Sequence, residues 1–270
     1  MYCRTDPPAA GVHAWRPTID GITEVFHAGF VDHAYPAHTH LTWTLLIVDD
    51  GAISYALDRH PHGALRPTVT LLPPHVVHDG RTVTPRGFRK RVLYLDSSVL
   101  DDDLIGPAVD DPSITDALLR RRIHQLHQAL AHPGEVLEAD SRLALVADRL
   151  ERHLRRQRPA AEPPRPGLAE DLRELLDTHI GSGLSLRQAA ERLHAHPTHL
   201  VRTFSARFGL PPHVYLIGRR VELARGLLLT GIRPTDVAIR AGFYDQAHLT
   251  RHFKRYVGTT PAHYAASRRV

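Results

Sequence analysis

The segment from residue 168 to residue 270 contains an internal duplication, and a chain that repeats itself must fold into two similar units. Sliding the segment against itself by 49 positions aligns eight identical residues between positions 189 and 215. The aligned pairs are Ala189/Ala238, His199/His248, Leu200/Leu249, Arg202/Arg251, Phe204/Phe253, Gly209/Gly258, Pro212/Pro261 and Tyr215/Tyr264. Aromatic, glycine and proline matches are rare by chance, so the same unit is built twice.

Each copy has the pattern of a helix-turn-helix unit. In the first copy, Ser185 is suited to cap one helix and Pro197 to begin the next. In the second copy, a helix begins near Pro234 and Gly242 turns the chain into the following helix. A single long helix at 211–230 joins the copies. Apolar residues at helical spacing predict the inward faces: Leu186, Ala189, Ala190, Leu193, Leu200 and Phe204, then Val237, Ala238, Ile239, Leu249 and Phe253.

The opposite face of the second helix in each copy carries polar and basic side chains. Because arginine can donate two hydrogen bonds to guanine, Arg202 and Arg251 are the leading candidates for base contacts. A solvated helix face has a similar composition, but its presence in both copies favours a nucleic-acid interface. The predicted DNA-binding residues are Thr198, His199, Arg202, Arg207, Gln246, His248, Thr250, Arg251, Lys254 and Arg255.

Charge is distributed unevenly along the chain. Residues 168–270 hold 15 Arg and Lys against 8 Asp and Glu, whereas residues 1–167 hold 19 against 21. A basic module gains affinity for a polyanion by releasing condensed counterions. Four prolines within residues 158–167 prevent a helix there. The sequence therefore predicts a near-neutral N-terminal domain at 1–157, a linker at 158–167 and a basic, DNA-binding domain at 168–270.

The N-terminal part begins as an all-β unit and continues as helices. Short apolar segments separated by turn residues lie at 25–31, 41–48, 53–57, 69–72 and 91–95. After Asp103 the apolar period becomes helical, with one stripe from Leu118 to Leu130 and another from Leu143 to Leu154. These two helices either cover the β unit or pair with a second subunit in a homodimer, and the sequence fits both interpretations.

Composition excludes several classes of protein. With Cys3 as its single cysteine, the chain can form neither an intramolecular disulfide nor a four-cysteine zinc site. Its longest apolar stretch, Leu41 to Val48, is too short to span a bilayer, and its N-terminus lacks a hydrophobic signal core. These features predict a soluble cytoplasmic protein.

Residues 184–264 resemble the DNA-binding domain of the AraC/XylS family of bacterial transcription regulators. The match is most specific in the second copy, which reads IRPTDVAIRAGFYDQAHLTRHFKRYVGTTPAHY. The resemblance implies sequence-specific binding to promoter DNA, usually with activation through contact with RNA polymerase. Two positions depart from the family pattern: Ala265 stands where the family often has arginine, and Val201 where some members have a polar base-reading residue.

Residues 20–100 resemble the cupin-like effector domain that precedes such DNA-binding domains. The resemblance implies that the predicted N-terminal domain, residues 1–157, binds an effector and mediates dimerisation. The resemblance rests on residues 36–40, PAHTH, and residues 73–80, PPHVVHDG. In metal-binding cupins, two histidines on one strand and a third from the second motif hold the ion, and His38, His40 and His78 fit that pattern. The glutamate usual after the first pair is missing.

The barrel therefore has two candidate occupants, a divalent metal and a small organic effector. Close histidine pairs also arise by chance in a chain with 21 histidines, and no cofactor is required. The candidate metal ligands are His38, His40 and His78. The candidate ligand-binding residues are His38, His40, Trp43, Tyr55, His78, Arg89 and Arg91.

Together these patterns predict an α+β protein with an N-terminal cupin-like β-barrel and two helices, followed by an all-α domain of two helix-turn-helix units. The predicted function is transcription regulation, controlled by a small molecule in the barrel, and not catalysis. One alternative is a metal-dependent cupin enzyme or metal sensor fused to a DNA-binding domain, for which Asp79 is the nearby acid. Another is a regulator with an empty barrel.

Overall fold

The computed structural model describes residues 11–155, 167–257 and 259–266. Cys3, Gly258 and the predicted linker except Gly167 lie outside this range. Within it, the strands are β1 (Gly11–Trp15), β2 (Ile22–Phe30), β3 (Ala34–His38), β4 (Trp43–Gly51), β5 (Ile53–Leu57), β6 (His60–Ala64), β7 (Val69–Leu72), β8 (His78–Thr82), β9 (Phe88–Leu95) and β10 (Ser113–Ile114).

Helices follow the strands along the chain. They are a 3₁₀ turn (Asp102–Leu104), α1 (Ile105–Asp110), α2 (Ala117–Leu130), α3 (Val136–Leu154), α4 (Leu168–Thr178), α5 (Leu186–Leu193), α6 (Pro197–Phe208), α7 (Pro212–Leu229), α8 (Pro234–Arg240), α9 (Gln246–Val257) and α10 (Pro261–Ala266). Among the described helices, none is both long and apolar enough to cross a bilayer.

The strands form two antiparallel sheets, one of six strands in the order β1-β2-β9-β4-β7-β10 and one of four in the order β3-β8-β5-β6. Alternate residues of a strand face opposite sides of its sheet. Leu46 and Val48 of β4 therefore share one face, and they pack with Phe88, Ile53 and Leu57 into a core between the two sheets. This arrangement confirms the predicted N-terminal β unit and its barrel-like form.

Helix α2 covers the other face of the six-stranded sheet. The guanidinium of Arg120 donates to the Val48 carbonyl oxygen at 2.7 Å, and Leu119 and Ile123 are fully buried. In α3, Leu150 is also fully buried. The apolar stripes are thus used within one chain, which supports the covering role among the two interpretations that the sequence allowed. A homodimer stays a prediction.

The described residues fall into two compact units. One contains residues 11–126 and 145–155, and the other contains residues 127–144, 167–257 and 259–266. The connection between α2 and α3 thus belongs with the C-terminal unit, whereas the sequence assigned it to the N-terminal domain. The domain boundary at 158–167 stays a prediction.

The C-terminal unit contains both helix-turn-helix units. Ser185 and Gln188 form a reciprocal capping box at the start of α5, and His194 ends that helix in the left-handed conformation, with φ of 47°. Helices α5 and α6 form the first unit, and α8 and α9 form the second. One expectation is wrong: Ile239, predicted to face inward, is 71% exposed, because the short α8 buries Val237 and Ala238 instead.

Phe253 of α9 is fully buried in the core of the second unit, with Val221 and Ala238. Replacing Phe253 by alanine should lower the free energy of unfolding by about 3–5 kcal/mol, because it removes buried apolar surface and leaves a cavity. Urea unfolding followed by circular dichroism measures the change. The exposed Lys254→Ala on the same helix should change stability by less than about 0.5 kcal/mol.

Candidate effector site and nucleic-acid interface

Three histidines meet between the two sheets. His38 at the end of β3 and His78 at the start of β8 are cross-strand partners, which places their side chains on the same face. Their ring centroids lie 4.6 Å apart, and the His40 ring lies 4.8 Å from His38 and 5.0 Å from His78. The structure therefore brings together the three histidines that the sequence singled out.

Two of these rings have a defined orientation. The Nδ1 atom of His38 lies 2.7 Å from the Pro36 carbonyl oxygen, and that of His78 lies 3.0 Å from the Val76 carbonyl oxygen. Because a carbonyl only accepts, each Nδ1 donates, and in the neutral form of each ring the lone pair lies on Nε2. Burial, with smaller contributions from His78, His38 and Lys90, lowers the pKa of His40 to about 4, so its ring is neutral at pH 7.

Lys90 of β9 also faces this cluster, and no motif in the sequence singles it out. Its ammonium group lies 4.1 Å from the ring centroid of Tyr35, and the His40 ring lies 5.1 Å from that of Tyr94. Burial lowers the pKa of Lys90 to about 8, without an opposing carboxylate among the described residues. The Tyr35 hydroxyl is buried and has no hydrogen-bond partner among the residues that the structure describes.

Arg89 and Arg91, predicted as ligand-binding residues, lie on the wrong face of β9 for this site. The pleat that turns Lys90 inward turns its two neighbours outward. Arg91 donates to both carboxylate oxygens of Asp49, at 2.7 and 2.6 Å, and Arg89 lines an outer pocket with it. Apolar Phe88 and Val92 indicate which face of β9 points to the core, and Lys90 lies on that face because it is two residues from each of them.

The two predicted aromatic ligand residues are core residues. Trp43 is fully buried on the opposite face of β4 from Leu46, and its indole nitrogen donates to the Leu100 carbonyl oxygen at 2.9 Å. Tyr55 does face the space between the sheets, but it packs in that core and its hydroxyl lies 3.2 Å from the Ser113 hydroxyl. Both polar groups already have a hydrogen-bond partner within the chain, so a role for these side chains in effector binding stays a prediction.

The predicted DNA-binding face is partly exposed. Arg202 and Arg207 of α6 are exposed, with His199 half-buried, and Arg207 pairs with Glu170 at 2.6 Å. In α9, the exposed predicted residues are Gln246, Lys254 and Arg255, while Thr250 is half-buried.

Thr198 and His248, predicted to face the duplex, are buried instead. The Thr198 hydroxyl donates to the Ala144 carbonyl oxygen at 3.1 Å, and His248 lies 3.6 Å from the Glu135 carboxylate. Glu135 also accepts a hydrogen bond from Arg251, the leading candidate for base contacts. Val201 is buried as well, which agrees with its poor suitability for reading bases. No sequence pattern connects residues 135 and 144 with these helices.

Two family models match the chain. Residues 189–267 match a helix-turn-helix domain, and residues 21–147 match an AraC-like ligand binding domain. The matched regions correspond to the duplicated helical unit and to the β unit with its covering helices. A ligand-binding domain followed by a helix-turn-helix domain defines the class of protein.

Several curated relatives share these regions. The HTH-type transcriptional activator AarP of Providencia stuartii is 30% identical over 93 residues, which are 34% of this chain and 69% of AarP. The HTH-type transcriptional regulator YbfI of Bacillus subtilis is 26% identical over 134 residues, 48% of each chain. Among solved structures, the DNA-binding domain of AdpA in complex with a target DNA is 32% identical, with 38% of this chain and 93% of that chain covered and a TM-score of 0.35.

The chain belongs to the AraC/XylS family of transcription regulators. It spans about half or less of the length of the relatives YbfI and VirF of Yersinia enterocolitica, 48% and 35% respectively.

Replacing Lys90 by methionine should stabilise the ligand-free protein, because it removes a buried cation. We expect the free energy of unfolding at pH 7 to rise by about 1–3 kcal/mol. The pKa of Lys90 is about 8 in the folded wild type and about 10.4 in the unfolded chain. Between these two pH values the unfolded chain binds more protons, so the free energy of unfolding of the wild type rises with pH. The difference in stability between Lys90→Met and the wild type therefore shrinks.

Urea unfolding at pH 7 and pH 9.5 measures this difference. The matched control is Arg89→Met, which removes the outward-facing neighbouring cation and should produce no such pH-dependent gain. A Lys90→Met protein less stable than wild type at pH 7 would show that the ammonium is well solvated.

Proposed function

We propose that this protein is a sequence-specific DNA-binding transcription regulator whose activity depends on a small molecule bound between the two sheets. The observation that supports DNA binding is the duplicated helix-turn-helix. Leu200 and Phe204 are buried in the first copy, and Leu249 and Phe253 are buried in the second. Burial of these residues fixes the opposite faces of α6 and α9 for contact with a duplex.

The effector site consists of the three histidines with Lys90 and Tyr35. Lys90 has a lowered pKa and no ionic partner among the described residues, so an acidic group of a ligand would relieve the cost of its burial. The buried Tyr35 hydroxyl and neutral His40 supply further hydrogen-bonding groups. We therefore infer an effector that is a small organic acid.

Residues of α3 belong to both compact units, which makes this helix the candidate path from effector to DNA. A coupling free energy of about 1–3 kcal/mol would suffice to control operator binding. Activation through RNA polymerase, a homodimer and a cytoplasmic location are inferred from the family resemblance.

The enzyme alternative has little support. The relatives reported above are named as regulators, and Asp79, the acid considered for catalysis, is used structurally: its carboxylate accepts from the Ala56 backbone N–H at 2.7 Å. As the neighbour of His78 in β8, Asp79 also projects to the opposite face of the sheet.

Arg202→Ala and Arg251→Ala should each weaken binding to a specific operator by about 1–3 kcal/mol, because each removes a guanidinium from a predicted base-reading face. Fluorescence anisotropy at fixed salt, with a duplex selected from random DNA by the wild-type protein, measures the loss. Arg233→Ala removes an equal charge from a site that pairs with Asp236, outside α6 and α9, and should have little effect. Equal affinities for all four proteins would contradict the assigned reading faces.

A metal sensor is the second candidate function, and the geometry of the histidines favours it specifically. Each of the three residues offers a ligand atom, and these atoms lie within 4.8 Å of one another. The Nδ1–H of His38 and that of His78 are held by carbonyl oxygens, which is the outer-shell support usual for metal-binding imidazoles. The residues therefore fit zinc or a similar divalent ion with water as an additional ligand.

If the cluster binds metal, purified protein should take up one cobalt or zinc ion, and the His38→Ala/His40→Ala variant should not. Calorimetric titration of the metal-stripped protein checks this. The matched control is His60→Ala/His62→Ala, a second pair two residues apart on a strand outside the cluster. Equal uptake by both variants, or none by the wild type, would leave the organic acid as the effector.

A further inference from the structure

The connection between α2 and α3 lies against the second recognition helix. Residues 132–138, which we call the tip segment, belong to the same compact unit as α9. Glu135 of the tip segment is 6% exposed, and its carboxylate faces three side chains of α9. This contact places an acidic residue of the chain on the surface predicted to read DNA.

The Glu135 carboxylate is the centre of a buried hydrogen-bond cluster. It accepts from Arg251 and, at 2.7 Å, from the Nε2 atom of His252. Burial alone would raise the pKa of Glu135, but the interactions with His248 and His252 outweigh it and hold the pKa well below its usual value. Glu135 is therefore ionised at neutral pH, and the Arg251 contact is a charge-assisted hydrogen bond.

Glu135, His248 and His252 also have the composition of a metal site, but the orientation of His248 opposes that function. Its Nδ1 atom accepts a hydrogen bond from the Tyr244 backbone N–H at 3.1 Å. A neutral imidazole that accepts at Nδ1 carries its proton on Nε2, so the atom facing Glu135 has no lone pair for an ion. The positive charge of Arg251 on the same carboxylate opposes a metal cation further.

The backbone of the tip segment approaches α9 closely at Gly134. A Cβ atom at this position would lie 2.2 Å from Nδ1 of His248 and 2.8 Å from the Tyr244 Cβ, both closer than packed atoms allow. Any side chain at position 134 would therefore push the tip segment and the start of α9 apart. The contact depends on this glycine as well as on the charge of Glu135.

We propose that the tip segment is an autoinhibitory latch that occupies the DNA-reading face of α9. The guanidinium of Arg251 contacts Glu135 in place of a base or phosphate, and His248 is buried beneath Gly134. A carboxylate at this position would also repel the phosphates of an approaching duplex. DNA binding through α9 requires the tip segment to leave.

The latch is built to open. A cavity of about 540 Å³ lies beside it, lined by Glu138, His213, Arg220, Ile217 and Phe243 among others. Because the tip segment borders this cavity rather than close-packed side chains there, its separation from α9 exposes less apolar surface than separation of close-packed elements would. The charged contact that holds the latch joins Glu135 and Arg251, and a phosphate of DNA can replace the Glu135 carboxylate as the acceptor.

The proposal rests on the proposed DNA-binding function and is tested on the full chain with the selected duplex. Glu135→Gln removes the charge that holds Arg251, and Gly134→Val opens the contact by bulk alone. We expect each to bind the duplex about fivefold or more tightly than wild type. Glu151→Gln is the control, since it removes the same charge near the other end of α3, where Glu151 pairs with Arg155 and not with α9.

Hydrogen exchange of residues 244–252 without DNA gives a second measurement, and it should be faster in Glu135→Gln and Gly134→Val than in wild type. If wild type binds the duplex and both variants bind within about twofold of it, the latch is overturned while the DNA-binding function stands. Unchanged exchange in both variants also overturns the latch. If neither wild type nor variants bind any selected duplex, the proposed DNA-binding function itself is wrong.

Discussion

Burial of one face of each strand and helix decides which side chains this chain can present to a ligand or to DNA. In β9, the core positions of Phe88 and Val92 force Lys90 between the sheets and Arg91 away from them. In α9, burial of Leu249 and Phe253 turns the opposite, basic face of the helix away from the core. The residues of the candidate effector site and of the candidate nucleic-acid interface both follow from this periodicity of the backbone.

Local pattern and spacing in the sequence predict the repeated helical units and the histidine cluster correctly. The duplication located both helix-turn-helix units, and the alanines and phenylalanines at repeated positions are buried as expected, with Ala238 and Phe253 fully so. His38 and His40 lie two residues apart and His78 is opposite on the neighbouring strand, so the motif predicted their proximity. Ile239 was misplaced because residues two apart lie on nearly opposite sides of a helix, so burial of Val237 turns Ile239 outward.

The sequence could not show contacts between residues far apart in the chain. Glu135 and Arg251 are separated by 116 positions, and nothing in either segment indicates that they meet. The same limit applies to Thr198, whose hydroxyl is satisfied by the Ala144 carbonyl 54 positions away. Arg89 and Arg91 illustrate a different limit, because the sequence alone does not show which residues of β9 the pleat turns toward the histidines.

Each of the two proposed sites contains a cation whose charge a binding partner could neutralise. Lys90 is a cation without an anion among the described residues, and Arg251 is a cation whose internal anion DNA can replace. A hydrogen bond to a charged group contributes about 1.5–3 kcal/mol, which is the size of typical coupling between two binding sites. A larger apolar interface over α9 would keep DNA from reaching this helix. Without the contact between Glu135 and Arg251, the helix would be accessible to DNA at all times. A single contact of this size between Glu135 and Arg251 would bias the equilibrium between the closed and open reading face without making the closed state permanent.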